Sequence, residues 1–148
     1  MIELVTALEA LFSPGKDGEM KFRIAQRAAL LLGKDASDRE RLAHFLRKLY
    51  DGRSQILHSG ISAFNPPEAI NNKRRKGLTL LTDSDLTQLG DLVRQAILRT
   101  LTLVWRQKRE RDEMNGLLDK AALNESVRDE ITQLADFEHA IKELLSKN

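Results

Sequence analysis

Cysteine is absent from this chain of 148 residues. Its absence excludes a disulfide framework, catalysis by a thiolate and a zinc site with cysteine ligands. Long apolar runs are also missing, because the longest, such as residues 28–32, are far shorter than the roughly 20 residues that a membrane span needs. The N-terminus has neither the basic start nor the cleavage site of a signal peptide. We therefore predict a cytoplasmic protein with no membrane association.

Strand-like alternation of apolar and polar residues is absent too, and no internal repeat is present. Apolar residues instead recur at the three- and four-residue spacing of amphipathic helices. A composition of 41% apolar and 31% charged residues is typical of a globular domain rather than a disordered chain. The sequence predicts one all-α domain over residues 1–148, a bundle of about five to six helices. Its core would cover residues 1–112, followed by a helical extension over 113–148.

Helical periodicity predicts six segments. They cover residues 2–12, 19–32, 37–60, 85 to past 109, 117–123 and 125–145. In the third, Gly52 costs about 1 kcal/mol relative to alanine, which indicates a bend or the close approach of another backbone. The fourth segment should end at Asn115-Gly116. Its predicted core face comprises Leu86, Leu89, Leu92, Val93, Ala96, Ile97, Leu101, Val104 and Trp105.

Capping residues mark three helix starts. The Ser37-x-x-Glu40 pattern predicts a capping box for the third helix. Either Thr82 or Ser84 caps the fourth helix, and Asn124 caps the last. The first helix has no capping residue before it and begins apolar at once. This abrupt start predicts that the chain is the C-terminal part of a longer protein.

Charge is unevenly distributed, although the net charge is only +2. Residues 47–76 carry seven Lys and Arg against two Asp and Glu, and residues 94–111 carry six against one. The C-terminal residues 112–148 carry four against nine. Two basic segments balanced by an acidic tail suit a polyanion bound to one face. Ordinary solvated helix faces would give the same pattern.

A run of four cations, Lys73, Arg74, Arg75 and Lys76, lies in the long stretch that prolines and asparagines exclude from regular helix. We predict that these side chains bind nucleic-acid phosphates, a salt-sensitive contact. Only seven aromatic residues are present, and most have core positions. Recognition of bases by stacking is therefore not expected.

Residues 50–60, Y-D-G-R-S-Q-I-L-H-S-G, gather versatile polar side chains. Tyr50, Ser54 and His58 follow at intervals of four, so they share one helix face. Arg53 lies about 140° from His58 around an ideal helix, although its long side chain can swing towards the imidazole. His58 could transfer protons near neutral pH, and Arg53 could hold phosphate oxygens. This combination suits phosphoryl chemistry without a metal.

A structural interpretation of the same residues is also open. Arg53 would then pair with Asp51, with Glu19 or with a helix end, and His58 would donate to a backbone carbonyl. Glu19 also shares a face with two arginines of the second helix, Arg23 and Arg27. One carboxylate stabilises only one of them, which leaves the other arginine for a different partner.

Residues 50–60 resemble the R-x4-6-H signature of the HEPN superfamily (higher eukaryotes and prokaryotes nucleotide-binding). The likeness is greatest to the ApeA-like branch, which shows a tyrosine, then Arg-Ser, then His-Gly. Upstream, A-L-E-A-L-F, then G-E, then R-I-A-Q-R-A-A-L-L-L-G-K-D resemble the first two helices of the branch at similar spacing. Downstream, L-x-x-L-x-x-L-V-R-Q-A-I-L resembles the following helix. R-x4-H alone is a weak pattern, whereas R-x4-H with these blocks in order is fairly specific.

The resemblance implies a helical bundle that forms a homodimer, with two Arg/His motifs facing each other across the interface. It implies binding of RNA or a nucleotide, a role in defence or stress response, and no cofactor. Active members are metal-independent endoribonucleases. In this chain Arg53 and His58 match the catalytic pair, and Ser54 takes the polar position after the arginine. Three supporting residues match further polar positions of the branch: Tyr50, Glu19 and Arg27.

The sequence departs from the branch at Ser59, where glycine usually follows the histidine; here glycine comes one residue later. The implied reaction is attack of an RNA 2′-OH on its adjacent phosphate, with His58 as base or acid and Arg53 stabilising the phosphorane. A non-catalytic module that binds nucleotide or RNA, or that assembles within a larger protein, is the alternative. Convergence of Arg53 and His58 on an open cleft favours the nuclease. An arginine engaged by carboxylates and a buried histidine favour the alternative.

Overall fold

The computed structural model of the chain describes residues 1–13, 20–64, 78–108 and 110–146. The backbone of these residues forms seven α-helices and no strand, which confirms the predicted all-α bundle. The helices are α1 (Ile2–Phe12), α2 (Met20–Leu32), α3 (Ala36–Ser59), α4 (Asp83–Gln107), α5 (Arg111–Ala121), α6 (Glu125–Leu134) and α7 (Phe137–Leu145). None of them is both long and apolar enough to cross a membrane.

Helix α2 is the centre of the bundle, since it contacts α1, α3, α4, α5 and α6. Its sequence allows this, because Ala25, Ala28 and Ala29 let neighbouring helices approach while Ile24 and the C-terminal leucines fill the space between them. Phe22 has the spacing of this apolar stripe but does not join the core. Its ring is 54% exposed on the surface.

Helix α3 begins earlier than predicted. Asp35 is its N-cap and accepts a hydrogen bond from the Asp38 N–H at 2.8 Å, so the predicted capping box at Ser37 is wrong. With Asp35 as N-cap, Ser37 lies inside the first turn of α3, where the N–H of Glu40 already has an intrahelical partner. The helix then runs without interruption to Gly60, whose left-handed φ of 66° ends it near the predicted position.

Gly52 is buried in the middle of α3 because other residues approach it closely. A Cβ atom added at Gly52 would lie 2.7 Å from Leu81 Cδ1 and 3.4 Å from Ala63 Cβ. The predicted close approach is therefore made by side chains of the residues that flank the 65–77 segment, and not by a backbone. Glycine at this position makes room for Leu81 against the helix.

Helix α4 starts at the capping box that Thr82 forms with Asp85, which settles the choice between Thr82 and Ser84. The helix ends at Gln107 and not beyond residue 109 as predicted, because Lys108 adopts a left-handed φ of 51°. Its first half buries the predicted face. These buried residues are Leu89, Leu92, Val93 and Ala96.

The second half of α4 departs from the predicted core face. Ile97, Leu101 and Trp105 are 39%, 60% and 47% exposed, respectively, so their prediction as core residues is wrong. Leu103 and two threonines, Thr100 and Thr102, are buried instead. The apolar pattern alone does not decide which side of an exposed helix its neighbours cover.

The C-terminal helices differ from the prediction at two places. Asn115-Gly116 lies inside α5 and does not end a helix. Asn115 is buried there, and its amide donates to the carbonyls of Leu11 and Ser13, at 3.5 Å each. The predicted last helix is broken at Ala135-Asp136 into α6 and α7. Its predicted N-cap, Asn124, is confirmed by the hydrogen bond that its side chain accepts from the Val127 N–H.

Candidate functional site

The last three turns of α3 carry all four residues of the predicted R-x4-H site. Tyr50, which is buried, faces the core, whereas Ser54 and His58 are exposed. Arg53 is partly buried between them. Tyr50, Ser54 and His58 therefore do not form one face. A spacing of four residues slightly exceeds one helical turn, so this row of side chains rotates from the core towards solvent.

Arg53 is oriented by a carboxylate of α1. Its Nη1 lies 3.1 Å from Glu9 Oε1, and the two side chains are only 24% and 19% exposed. Its Nε is buried and has no hydrogen-bond partner within the described ranges. Asp51, one of the partners expected from the sequence, instead binds Lys21 at 2.6 Å. Glu9 therefore takes the place that the sequence assigned to Asp51.

The Tyr50 phenol lies beside this ion pair. Burial is the main cause that raises the pKa of Tyr50 well above its ordinary value, and the negative charge of Glu9 adds to it, while Arg53 acts in the opposite direction. Tyr50 therefore stays protonated at physiological pH. It can serve as a neutral donor but not as a base.

His58 is exposed in the last helical turn of α3. Because α3 is continuous through Gly52, the five-residue offset still separates His58 from Arg53 by about 140° around the helix axis. Arg53 turns towards α1, and His58 faces solvent. The arginine engaged by a carboxylate agrees with the non-catalytic alternative. The exposed histidine agrees with the nuclease.

Gln55, between the two motif residues, ties both ends of the 65–77 segment to α3. Its amide N–H groups donate to the carbonyls of Ile61, Ser62 and Thr79, at 3.4 Å each, and its carbonyl accepts from the Thr79 N–H at 2.8 Å. A backbone hydrogen bond from Leu81 N–H to the residue 63 carbonyl closes this loop base (residues 61–64 and 78–81). The predicted nucleic-acid contacts, Lys73, Arg74, Arg75 and Lys76, lie outside the described residues.

The supporting residue Arg27 has a structural position. It is 4% exposed, and its guanidinium donates to Asp119 and to the Phe12 carbonyl. Arg27 is therefore not the arginine that the sequence leaves available for a different partner. Glu19, another of the predicted supporting residues, lies outside the described residues. Within the described ranges, no group of three or more histidine, aspartate and glutamate side chains could hold a metal ion.

Sequence reasoning missed two residues of this region, Glu9 and Gln55. Glu9 interrupts the apolar stretch at the end of α1, which is the only local signal that it has a buried partner. Gln55 lies inside the motif, but nothing in its spacing indicates that it holds a loop. Both act through long-range contacts.

Comparisons with protein-family models, with curated proteins and with solved structures find no match to this chain. The likeness to the HEPN superfamily therefore rests on the sequence blocks and stays a prediction.

Proposed function

We propose that this chain is an HEPN-type RNA-binding domain that cleaves RNA without a metal, as a homodimer, in defence or stress response. The observation that carries the proposal is the exposed imidazole of His58, one helix turn beyond an arginine that Glu9 holds in place. An arginine fixed by a carboxylate loses little side-chain entropy when it binds a phosphate. The Arg53 side chain stays 24% exposed beside Glu9, so part of it remains accessible to a substrate.

In the proposed reaction the 2′-oxygen of RNA attacks the adjacent phosphorus, and the bond from phosphorus to the 5′-oxygen breaks. A proton leaves the 2′-hydroxyl and another is added to the 5′-oxygen, which yields a 2′,3′-cyclic phosphate and a 5′-hydroxyl. One histidine cannot be base and acid at the same moment. Two copies of His58 across a two-fold axis would divide these roles, and Arg53 would stabilise the charge that develops on the phosphorane.

The test is incubation of the protein in EDTA with a single-stranded RNA and with its deoxy counterpart. We expect cleavage of the RNA alone, because DNA lacks the nucleophile. His58→Ala should lower the rate by about 10²- to 10⁴-fold, the usual contribution of general acid–base catalysis. His44→Ala is the matched control, since His44 is an exposed histidine on the first half of the same helix. Cleavage of both polymers, or of RNA by His58→Ala at the wild-type rate, would exclude the proposed mechanism.

The second candidate is a non-catalytic module that binds RNA or a nucleotide, or that mediates assembly. The Glu9–Arg53 ion pair favours it, because a carboxylate already neutralises the arginine. Fluorescence anisotropy on the same RNA separates the candidates. Binding without cleavage in any variant indicates the binding module, and absence of both indicates assembly.

A further inference from the structure

A groove between α2 and the N-terminal half of α3 has a volume of about 330 Å³. Its floor is apolar and flat, because Ala25, Ala29 and Ala43 end at Cβ and so leave a slot between the helices. The start of α6 closes one end of the slot. The volume lies at the lower end of the range for small-molecule sites, about 300–1,000 Å³.

Three arginines from two helices line this groove: Arg39 and Arg47 of α3 and Arg128 of α6. All three are partly buried. The only carboxylate in the lining is that of Glu40, which is exposed. We call this site the arginine groove.

Most guanidinium groups elsewhere in the described structure have a carboxylate or carbonyl partner, but those of the arginine groove do not. Within the described ranges, the three side chains have no ion pair and no hydrogen bond, and Arg128 Nε is buried without a partner. The contrasting arginines are Arg27, Arg41, Arg53 and Arg94, which pair with carboxylates, and Arg99 and Arg106, which bind carbonyls.

Arg47 lies over the Phe22 ring, with its guanidinium carbon 5.0 Å from the ring centroid. This contact positions the guanidinium without an anionic partner, so its N–H groups can still donate to an anion. Those N–H groups bind the oxygens of a phosphate in the plane of the guanidinium. Three partly buried cations against the one carboxylate of Glu40 leave a net positive charge in the lining, and a dianion would offset it.

We propose that the arginine groove binds a small phosphomonoester that carries a flat, apolar body. The dianionic phosphate lies among Arg39, Arg47 and Arg128, and the flat body lies on the alanine floor. Arg47 is eleven residues before His58, which is about 16 Å along the axis of α3. The groove is thus a separate site from the proposed nuclease site, and it does not depend on the function of Arg53 and His58.

Isothermal titration at fixed ionic strength tests the proposal, with phenyl phosphate, inorganic phosphate and phenol as probes. We expect phenyl phosphate to bind at one site, inorganic phosphate to bind more weakly and phenol not to bind. Arg128→Gln and Arg47→Gln, which lie on different helices, should each weaken phenyl phosphate binding on the order of tenfold, the value of one charge-assisted hydrogen bond. His58→Ala should leave it unchanged.

The matched control is Arg94→Gln, which removes the same charge from an exposed arginine of α4 that pairs with Asp91. It should bind phenyl phosphate as the wild type does. Because Arg128→Gln removes an unpartnered buried cation, its melting temperature without ligand should equal or exceed that of the wild type. Equal weakening by Arg94→Gln would show a general charge effect and overturn the proposal. Absence of binding, or inorganic phosphate binding as tightly as phenyl phosphate, would overturn it too.

Discussion

Arg27 shows how one side chain can join three helices. From α2 it donates through Nε and Nη2 to Asp119 of α5, at 2.8 and 2.6 Å, and through Nη1 to the Phe12 carbonyl at 2.7 Å. The Phe12 carbonyl ends α1 and has no intrahelical partner, so a cation stabilises it both by a hydrogen bond and through the helix dipole. In the sequence, Arg27 is a polar residue that shares a helix face with Glu19 and Arg23. Only its burial identifies its structural role.

Arg27→Gln should lower the free energy of unfolding by about 2 kcal/mol, because it leaves the Phe12 carbonyl and the Asp119 carboxylate without their donors. The loss is smaller than for a fully buried pair, since Asp119 is 46% exposed. Urea unfolding measures it. Arg41→Gln is the control: it breaks an exposed pair with Asp38 and should cost less than about 0.5 kcal/mol. Equal losses in the two variants would contradict the structural role of Arg27.

The pH dependence of the same variant gives a second readout. Hydrogen bonds from Arg27 lower the pKa of Asp119 below its ordinary value, about 3.9 in an unfolded chain. A lowered folded pKa adds stability that is present above the unfolded pKa and is lost as the pH falls through the folded one. Between pH 5 and pH 3, roughly, Arg27→Gln should therefore lose less stability than the wild type. Parallel stability curves would show that Asp119 does not contribute.

At the scale of elements, arginines of one helix cap the C-terminal ends of others. Arg99 of α4 donates to the Leu31 carbonyl at the end of α2, at 2.7 Å. Arg106 donates to the carbonyls of Gln133 and Leu134 at the end of α6. Carbonyls at helix ends lack intrahelical partners and carry a partial negative charge. These directional contacts add to apolar packing in fixing the axial position of each helix against its neighbour.

The contact between α3 and the loop base predicts the effect of Gly52→Ala. Alanine improves helix propensity by up to about 1 kcal/mol, but the new Cβ meets Leu81 Cδ1 at 2.7 Å, and overpacking costs about 1–3 kcal/mol. We expect a net loss of about 1 kcal/mol in the free energy of unfolding. Leu81→Val removes the clashing atom, so the double variant should be more stable than the sum of the two changes predicts.

Gly90→Ala is the control for this experiment. Gly90 lies inside α4, and an added Cβ there would meet nothing within 4 Å. Only helix propensity acts, so stability should rise by about 0.5–1 kcal/mol. If Gly52→Ala stabilised the protein as Gly90→Ala does, the close approach of Leu81 would not constrain α3.

At the scale of the whole molecule, the proposed nuclease requires two copies of the chain. Arg53 and His58 leave α3 on different sides, so a second subunit must complete the site. We expect sedimentation equilibrium to give the mass of two 16.8 kDa chains at micromolar concentration, with His58→Ala unchanged. A monomer under conditions of full activity would exclude the composite site. A monomer without activity would favour the non-catalytic module.

Helix type and several helix ends were determined by the sequence alone. The all-α class, the Asn124 cap and the end of α3 at Gly60 follow from signals within a few residues of each other, and the same signals limit the N-cap of α4 to Thr82 or Ser84. Periodicity and capping are local, so they can be read without knowledge of the neighbours. The same signals failed where a stronger local partner competed, as when Asp35 capped α3 ahead of Ser37.

Tertiary structure decided the environment of the candidate site. Glu9 reaches Arg53 from 44 positions away, Arg27 reaches Asp119 across 92, and neither pairing has a signature in spacing. The outward direction of Ile97, Leu101 and Trp105 is likewise set by which helices cover α4. Residue types indicate what chemistry a side chain can perform. Whether a charge is neutralised, buried or open depends on segments that are distant in the chain, and only folding brings them together.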